Sequence, residues 1–338
     1  MSLAVREAEA SDLDSVKRIW HEAYSSPIAP HPYSHYTDSK LPKNSDPGEL
    51  AWIAWSKGLI GDFPNDCFVA VADGKVIGFE FFEFSEFLTR IVGRKWADLG
   101  IMAVEPGHVG SGAGSSLVKT VMGHVLQNGA DVVSVGTDLD NVSAMTCYEK
   151  EGMKVIYSNC IFRTRGRKLT ESAVPKDVKI RSWDDSDLGD IRRIYMDSGE
   201  KNFVEVDRKI SAEAKERFRK ERIEGLLGRL GKGTGTCQVA QQKGKTVGFA
   251  IGHTNADFSK GFGTGFAEID CFSVERSKRG KGIGTALVGK LLKSLSTEKG
   301  AKIIDCWVSL NDWPAINCLE KSGLGLAHAT VMLRRWIH

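Results

Sequence analysis

The stretch VERSKRGKGIGTALV, Val274 to Val288, passes from a strand-like run through Gly280, Gly282 and Gly284 into an amphipathic helix. Glycines remove the side chains that would hold a diphosphate away from backbone N–H groups. The helix that follows offers its free N–H groups and the positive end of its dipole. Arg276, Lys278, Arg279 and Lys281 place four cations beside this cradle, which a loop built only for tight turning does not need. The dinucleotide fingerprint G-x-G-x-x-G fails, because after Gly280 and Gly282 the third position is Thr285. The P-loop pattern is missing as well, and GRLGKGTG, with Gly228, Gly231, Gly233 and Gly235, is expected to be a loop.

The same strand, glycine loop and helix occur earlier in the chain. AEIDCFSVERSKRGKGIG from Ala267 aligns with ADLGIMAVEPGHVGSGAG from Ala97, and three further blocks keep the same order at offsets of 170 to 175 residues. VREAEASDLDSVKRIW from Val5 matches IRSWDDSDLGDIRRIY from Ile180. CFVAVADGKVIGFEF from Cys67 matches CQVAQQKGKTVGFAI from Cys237, and NVSAMTCYEKEGM from Asn141 matches DWPAINCLEKSGL from Asp312. A spacing this long means duplicated domains rather than a solenoid. The expected division is 1–166, a polar linker at 167–177 containing Pro175, and 178–338.

Within each copy the periodicity sets a common order. A short strand leads into a helix with apolar residues at Leu13, Val16, Ile19 and Trp20, or at Leu188, Ile191, Ile194 and Tyr195. Ser11 with Asp14 is the candidate cap of the first. A variable segment follows, then a hairpin turning at Asp73-Gly74 or Lys243-Gly244, the long strand, the glycine loop with its helix, a strand, a helix and a last strand. Hairpins combined with a strand–loop–helix unit predict an α+β fold, each half a mixed central sheet flanked by helices.

Composition limits the function. The 338 residues are 41% hydrophobic and 26% charged, enough to bury a sizeable core, and the net charge of +3 is too small for a protein that coats nucleic acid. No apolar run reaches a membrane span, and the opening MSLAVREAEASDLD turns acidic where a signal peptide is apolar. A cytoplasmic chain without membrane or nucleic-acid partners is expected. The seven cysteines include no Cys-x-x-Cys pair, and Cys67 and Cys237, like Cys147 and Cys318, hold equivalent places in apolar patterns. They read as packing thiols, with no metal site.

These motifs resemble the GNAT superfamily of acyl-CoA-dependent N-acetyltransferases. Its signature [QR]-x-x-G-x-[GA] matches Arg279, Gly282 and Gly284. Its pattern N-x-x-A-x-x-x-Y-x-x-x-G-[FM] matches Asn141, Ala144, Tyr148, Gly152 and Met153. The resemblance covers both halves, a tandem arrangement similar to that in mycothiol synthase, and implies acetyl-CoA as co-substrate. The implied cofactor-binding residues are Phe272, Val274, Arg279, Gly280, Gly282, Gly284, Thr285 and Asn311 in the second half, and Val104, Gly110, Gly112, Gly114 and Asn141 in the first. Two departures are complementary. Val109 stands at the Arg or Gln position of the first half, and Leu319 replaces the tyrosine in the second, where Asp312 takes the Asn141 register.

An alkylamine with a pKa near ~10.4 is almost wholly protonated at pH 7, so acylating it costs about 4 to 5 kcal/mol in deprotonation unless a base helps. The resemblance implies a glutamate on the strand before the loop, a place held by Glu268 with Asp270 two residues on. Their mates are Asp98 and Gly100. Tyr148 stands where the family protonates the departing thiolate. A strand N–H near Met102 to Val104, or Phe272 to Val274, would polarise the thioester carbonyl. The segment between first helix and hairpin, with Pro27, Pro30, His31, Pro32, Tyr33, His35, Tyr36, Trp52 and Trp55, is the expected acceptor region. The leading expectation is acetylation of a small-molecule amine or amino sugar. Acetylation of a protein lysine or α-amine, and a non-catalytic acyl-CoA sensor, remain alternatives.

Overall fold

The computed structural model describes residues 2–24, 63, 65–164, 169, 172–199, 201–262 and 264–337. The acceptor segment expected between the first helix and the first hairpin lies outside them. The first repeat runs β1 (Leu3–Glu7), α1 (Leu13–Tyr24), β2 (Cys67–Ala72), β3 (Lys75–Phe84), α2 (Glu86–Val92), β4 (Trp96–Val104), α3 (Ala113–Gln127), β5 (Val132–Asp138), α4 (Val142–Lys150) and β6 (Lys154–Arg163). The second runs β7 (Lys179–Ser182), α5 (Leu188–Met196), α6 (Ala212–Gly231), β8 (Gly235–Gln242), β9 (Lys245–Thr254), α7 (Ala256–Phe262), β10 (Phe266–Val274), α8 (Ile283–Lys293), β11 (Ile303–Ser309), α9 (Trp313–Lys321) and β12 (Gly325–Trp336). The architecture is the expected α+β arrangement with mixed sheets.

The chain forms two compact units that cut across its repeats: Met1–Tyr157 with Thr330–His338, and Ser158–Ala329. In unit 1 the strands lie in the order β1-β2-β3-β4-β5-β12, and in unit 2 β7-β8-β9-β10-β11-β6. Thr330–Trp336 of the second repeat pair antiparallel with Asp138–Val132, and Asn159–Arg163 of the first pair antiparallel with Ser309–Asp305. Each unit therefore takes its last strand from the other repeat, whereas the sequence division places both strands with their own. The exchanged strands are core elements. Val331 and Leu333 are buried among the apolar residues of α3 and β5, and Cys160 and Phe162 among those of α8 and β11.

Both faces of each sheet are covered. In unit 1, Phe68, Ala70 and Phe82 face α3 and α4, while Cys67, Val69, Phe79 and Phe81 pack against Val16, Ile19 and Trp20 of α1. In unit 2, α8 and α9 cover one face and α5 and α6 the other. The hairpin turns sit where the dipeptides put them, with positive φ at Asp73 and Gly74 and at Lys243 and Gly244, as two-residue type I′ turns demand.

Local readings change in two places. Ser11 is not the cap before α1. Asp12 is buried there, accepting from the Glu9 N–H at 2.8 Å and from Arg6 at 2.7 and 3.0 Å. Unit 2 repeats the device with Asp187, Asp184 and Arg181. In GRLGKGTG, Gly228 and Gly231 are helical, so the loop shrinks to Lys232–Thr234 before β8. Leu226, Leu227 and Leu230 bury against β8 and β9 and hold the last turn of α6 together, outweighing the ~1 kcal/mol that each helical glycine costs.

Candidate functional site

The site in unit 2 begins where two strands part. β10 and β11 pair in parallel only from Phe266/Ile303 to Ile269/Cys306, while β10 continues beside β9 as far as Val274. Asp270 is the extra residue of a bulge at the parting point, which bends the strand and redirects side chains. Phe272 and Val274 thus lie beyond the last β11 pair, where a ligand strand-like in width can take the open edge. Unit 1 has the same opening: β4 and β5 pair only from Trp96/Val132 to Leu99/Val135, and Val104 lies beyond.

Past each opening the chain turns into a helix on left-handed glycines. Gly282 caps α8 at φ 78° and Gly280 stands at φ 75°; Gly112 caps α3 at φ 92° and Gly110 stands at φ 84°. A Cβ at any of the four would meet no atom within 4 Å, so open space lies beside both helix starts; in unit 1 the Ser111 Oγ accepts from the Ala113 N–H at 3.4 Å. The space fits the diphosphate of a coenzyme A thioester. Gly284 and Thr285 do different work. A Cβ on Gly284 would come within 3.2 Å of the Cys318 Sγ, and the Thr285 carbonyl accepts from Ser322 Oγ at 3.3 Å, so both pack α8 against α9. A Cβ on Gly114 would lie 3.8 Å from the side chains of Met102 and Val104, an ordinary contact.

The cations are less available than their spacing suggests. Arg279 donates to the carbonyls of Val274 (2.9 Å) and Ser198 (3.1 Å), and Arg276 to that of Asp197 (3.2 Å). They tie the glycine loop to the end of α5, where the backbone offers unpaired carbonyls. Lys281 is exposed beside the cradle.

Glu268 lies on β10 just before the bulge, opposite His253 of β9 and Asp305 of β11. Its carboxylate accepts from Asn255 Nδ2 at 3.1 Å and lies 3.5 Å from His253 Nε2. Burial, with the charges of Asp270 and Asp305, pushes its pKa above the usual carboxylate range against the opposing pull of Asn255 and His253. The structure brings Asp270 to the same place: His253 Nδ1 is 2.9 Å from its Oδ2, and Arg229 of α6 donates to its Oδ1 at 3.1 Å. In unit 1, Asp98 holds the Glu268 position but accepts from Ser134 Oγ and from Trp96 Nε1 (3.1 Å), with the Arg334 guanidinium stacked on Trp96 at 4.3 Å. That carboxyl is committed internally.

Tyr148 of α4 is 3% exposed, inside the core of unit 1, and burial raises its hydroxyl pKa well above the usual value. Leu319 holds the corresponding place in α9 and is fully buried. Asn141 caps α4, accepting from the Ala144 N–H at 3.1 Å; its counterpart is Asp312, which accepts from Ala315 N–H at 3.3 Å. Asn311 sits one residue before that cap, its carbonyl accepting from Lys201 Nζ at 2.9 Å. Sequence reasoning overlooked His253, Asn255 and Arg229. Their link to Glu268 depends on the bulge register and on where α6 packs, and only the proximity of GHTN to the end of a predicted strand hinted at it.

Both halves match the model of the acetyltransferase (GNAT) family, at residues 15–153 and 190–324. The chain belongs to that family. It is a GNAT-type N-acetyltransferase with two such domains in tandem. No curated protein matches its sequence. Among solved structures, the fold is similar to a GCN5-related N-acetyltransferase from Sphaerobacter thermophilus, with a TM-score of 0.63, 16% identity, and 99% and 96% of the two chains covered. It is also similar to a tandem GNAT protein from the clavulanic acid biosynthesis pathway (0.56, 15%, 100% and 99%). A third likeness is to a glucosamine N-acetyltransferase region of a fungal multi-domain β-N-acetylglucosaminidase (0.61, 14%), of which it covers 38%. Among the described residues no helix is long and apolar enough to cross a membrane, and no three His, Cys, Asp or Glu side chains are arranged so that they could hold a metal ion.

Proposed function

We propose that the protein moves an acetyl group from acetyl-CoA to a primary amine of a small molecule or amino sugar, and that unit 2 carries the reaction with Glu268 as general base. The observation that carries this reading is the position of Glu268. Its carboxyl has a raised pKa and lies at the parting of β10 and β11, at the head of the strand leading to the open glycine cradle. A carboxylate with raised proton affinity takes a proton from an alkylammonium at lower cost than an ordinary one.

The diphosphate would rest on Gly280, Gly282 and the start of α8, and the thioester arm would run along the open edge at Phe272 and Val274. The ammonium gives one proton to Glu268, the amine nitrogen bonds the acetyl carbon and loses its second proton to water, the C–S bond breaks, and sulfur leaves with the electron pair. Buried Leu319 offers no acid for that sulfur. A thiol of pKa ~8.5 leaves as thiolate at a cost of only about 2 kcal/mol at pH 7, within reach of solvent protonation.

Following thiol release with acetyl-CoA across amines, amino sugars and peptides tests the reading. Glu268→Gln should lower kcat by roughly 10²- to 10⁴-fold with CoA affinity unchanged. The base works ionised, so kcat should rise with pH through an acid limb lying above the ordinary carboxylate value, because burial raises it. Glu268→Gln should abolish that limb. Unaltered turnover in Glu268→Gln, together with loss in Tyr148→Phe, would move the active site to unit 1.

A further inference from the structure

His253 lies between two carboxylates and belongs to no motif. It stands on β9 directly opposite Glu268 in register. Its ring is mostly buried, with Nδ1 2.9 Å from Asp270 Oδ2 and Nε2 3.5 Å from Glu268 Oε2. Arg229 Nη1 is 3.1 and 3.3 Å from the two ring nitrogens, nearly equidistant, so it lies along neither lone pair; its aligned partner is Asp270 Oδ1 at 3.1 Å. The corresponding residue of unit 1 is Glu83, which faces Asp98, and Gly100 replaces Asp270. Unit 1 therefore has no such chain.

An ionised carboxylate accepts hydrogen bonds and donates none. Asp270, ion-paired with Arg229 at 3.1 Å and 2.9 Å from Nδ1, therefore selects the imidazole tautomer with its proton on Nδ1. The Nε2 lone pair is then left facing Glu268. We propose that His253 is the positioning residue of the unit 2 base, fixed by Asp270 so that it receives the proton Glu268 has taken from the amine. This rests on Glu268 being the base.

The transfer balances. Protonated Glu268 gives its O–H proton to Nε2, leaving the carboxylate restored and an imidazolium between Glu268 and Asp270. The imidazolium then loses one proton to water and returns to the starting tautomer. The groups facing this ring are Glu268 and Asp270 from β10 and Arg229 from α6. Asn255 donates to the same Glu268 Oε2 at 3.1 Å, Asp305 stands opposite Glu268 on β11, and Arg222 donates to the Asp270 carbonyl at 3.4 Å. Carboxylates at 3.5 and 2.9 Å flank the ring on its two nitrogens, and Arg229 sits 3.1 Å from the second of them.

The experiment has one arm on the resting protein and one on turnover. Nitrogen-15 NMR of histidine-labelled protein, with His253 assigned by comparison with His253→Gln, should show the Nδ1–H tautomer when the ring is neutral. An Nε2–H tautomer overturns the proposal whether or not an acceptor amine is known. In thiol-release assays, His253→Gln should lower kcat by about 10- to 100-fold with KM for acetyl-CoA unchanged. His253→Ala should recover turnover with added imidazoles in proportion to their basicity, which a merely structural ring would not do. If Glu268→Gln stops turnover while His253→Gln keeps the wild-type kcat and pH profile, the relay is wrong and the base stands. If Glu268→Gln leaves turnover intact, the base itself is wrong.

Discussion

Glu80 shows how costly one side chain can be. It sits on β3 opposite Met102, fully buried, and neither carboxylate oxygen has a hydrogen-bond partner. Burial alone pushes its pKa up to about 8. The folded state therefore holds this proton more tightly than the unfolded chain. Its stabilising effect is complete below the unfolded value near ~4.3 and is lost as pH rises through about 8, to a limit of about 5 kcal/mol. Glu80→Gln, which never ionises, should be little changed at pH 5 and more stable than the parent by about 3 to 5 kcal/mol at pH 9 in denaturant unfolding. Parallel pH curves for the two proteins would show that Glu80 finds solvent or a cation in the folded state. Nothing in FEFFEF marks this glutamate as interior, because alternation assigns a face and not the number of layers covering it. Glu268, on the other hand, could be reached from the sequence by counting back from Arg279.

At the scale of elements, the glycine-capped helices were the most legible parts. Left-handed capping needs glycine, and the strand before and the helix after carry contrasting periodicities. The short helices α2 and α7 were not legible. Ser85 caps one by accepting from the Leu88 N–H at 3.2 Å, and Asn255 the other from the Phe258 N–H at 3.0 Å. Seven residues, however, are too few for a periodic signal. The strand exchange was hidden because β6 and β12 carry matching patterns, so either sheet accepts either strand. The two cradles predict unequal cofactor binding. With Arg276 and Arg279 engaged by backbone carbonyls, the advantage of the second cradle rests on Lys278 and Lys281. His108 of the first leans on Glu105 at 3.4 Å. These two cations, Lys281 exposed and Lys278 half-buried, at about 0.5 to 1 kcal/mol each make the unit 2 site tighter by roughly 5- to 30-fold. Calorimetry with CoA should lose the tighter site in Gly282→Glu and the weaker in Gly112→Glu. Gly282→Ala serves as control for the strain of positive φ, about 1 kcal/mol. Loss of the tighter site in Gly112→Glu would reverse the ranking.

For the whole molecule, the consequence of exchange is that neither repeat holds a complete sheet. Removing Thr330–His338 takes from unit 1 the strand that pairs with β5 and the buried side chains of Val331 and Leu333, while unit 2 keeps all of its strands. Hydrogen exchange on the shortened chain should show protection lost across Val132–Asp138 and retained across Ile303–Ser309. Equal loss in both would mean that the units unfold as one. The partition also sets an order of assembly on the ribosome. Unit 2 is continuous, its borrowed strand made before the rest of it, so it can close as soon as residue 329 has emerged. Unit 1 begins first and finishes last, waiting through the synthesis of a whole neighbour for one strand. A chain cut short by a premature stop or by proteolysis near that strand leaves an open sheet edge beside β5, the kind of surface that chaperones and proteases recognise. The earliest-made half is therefore complete only once translation has run past Leu333.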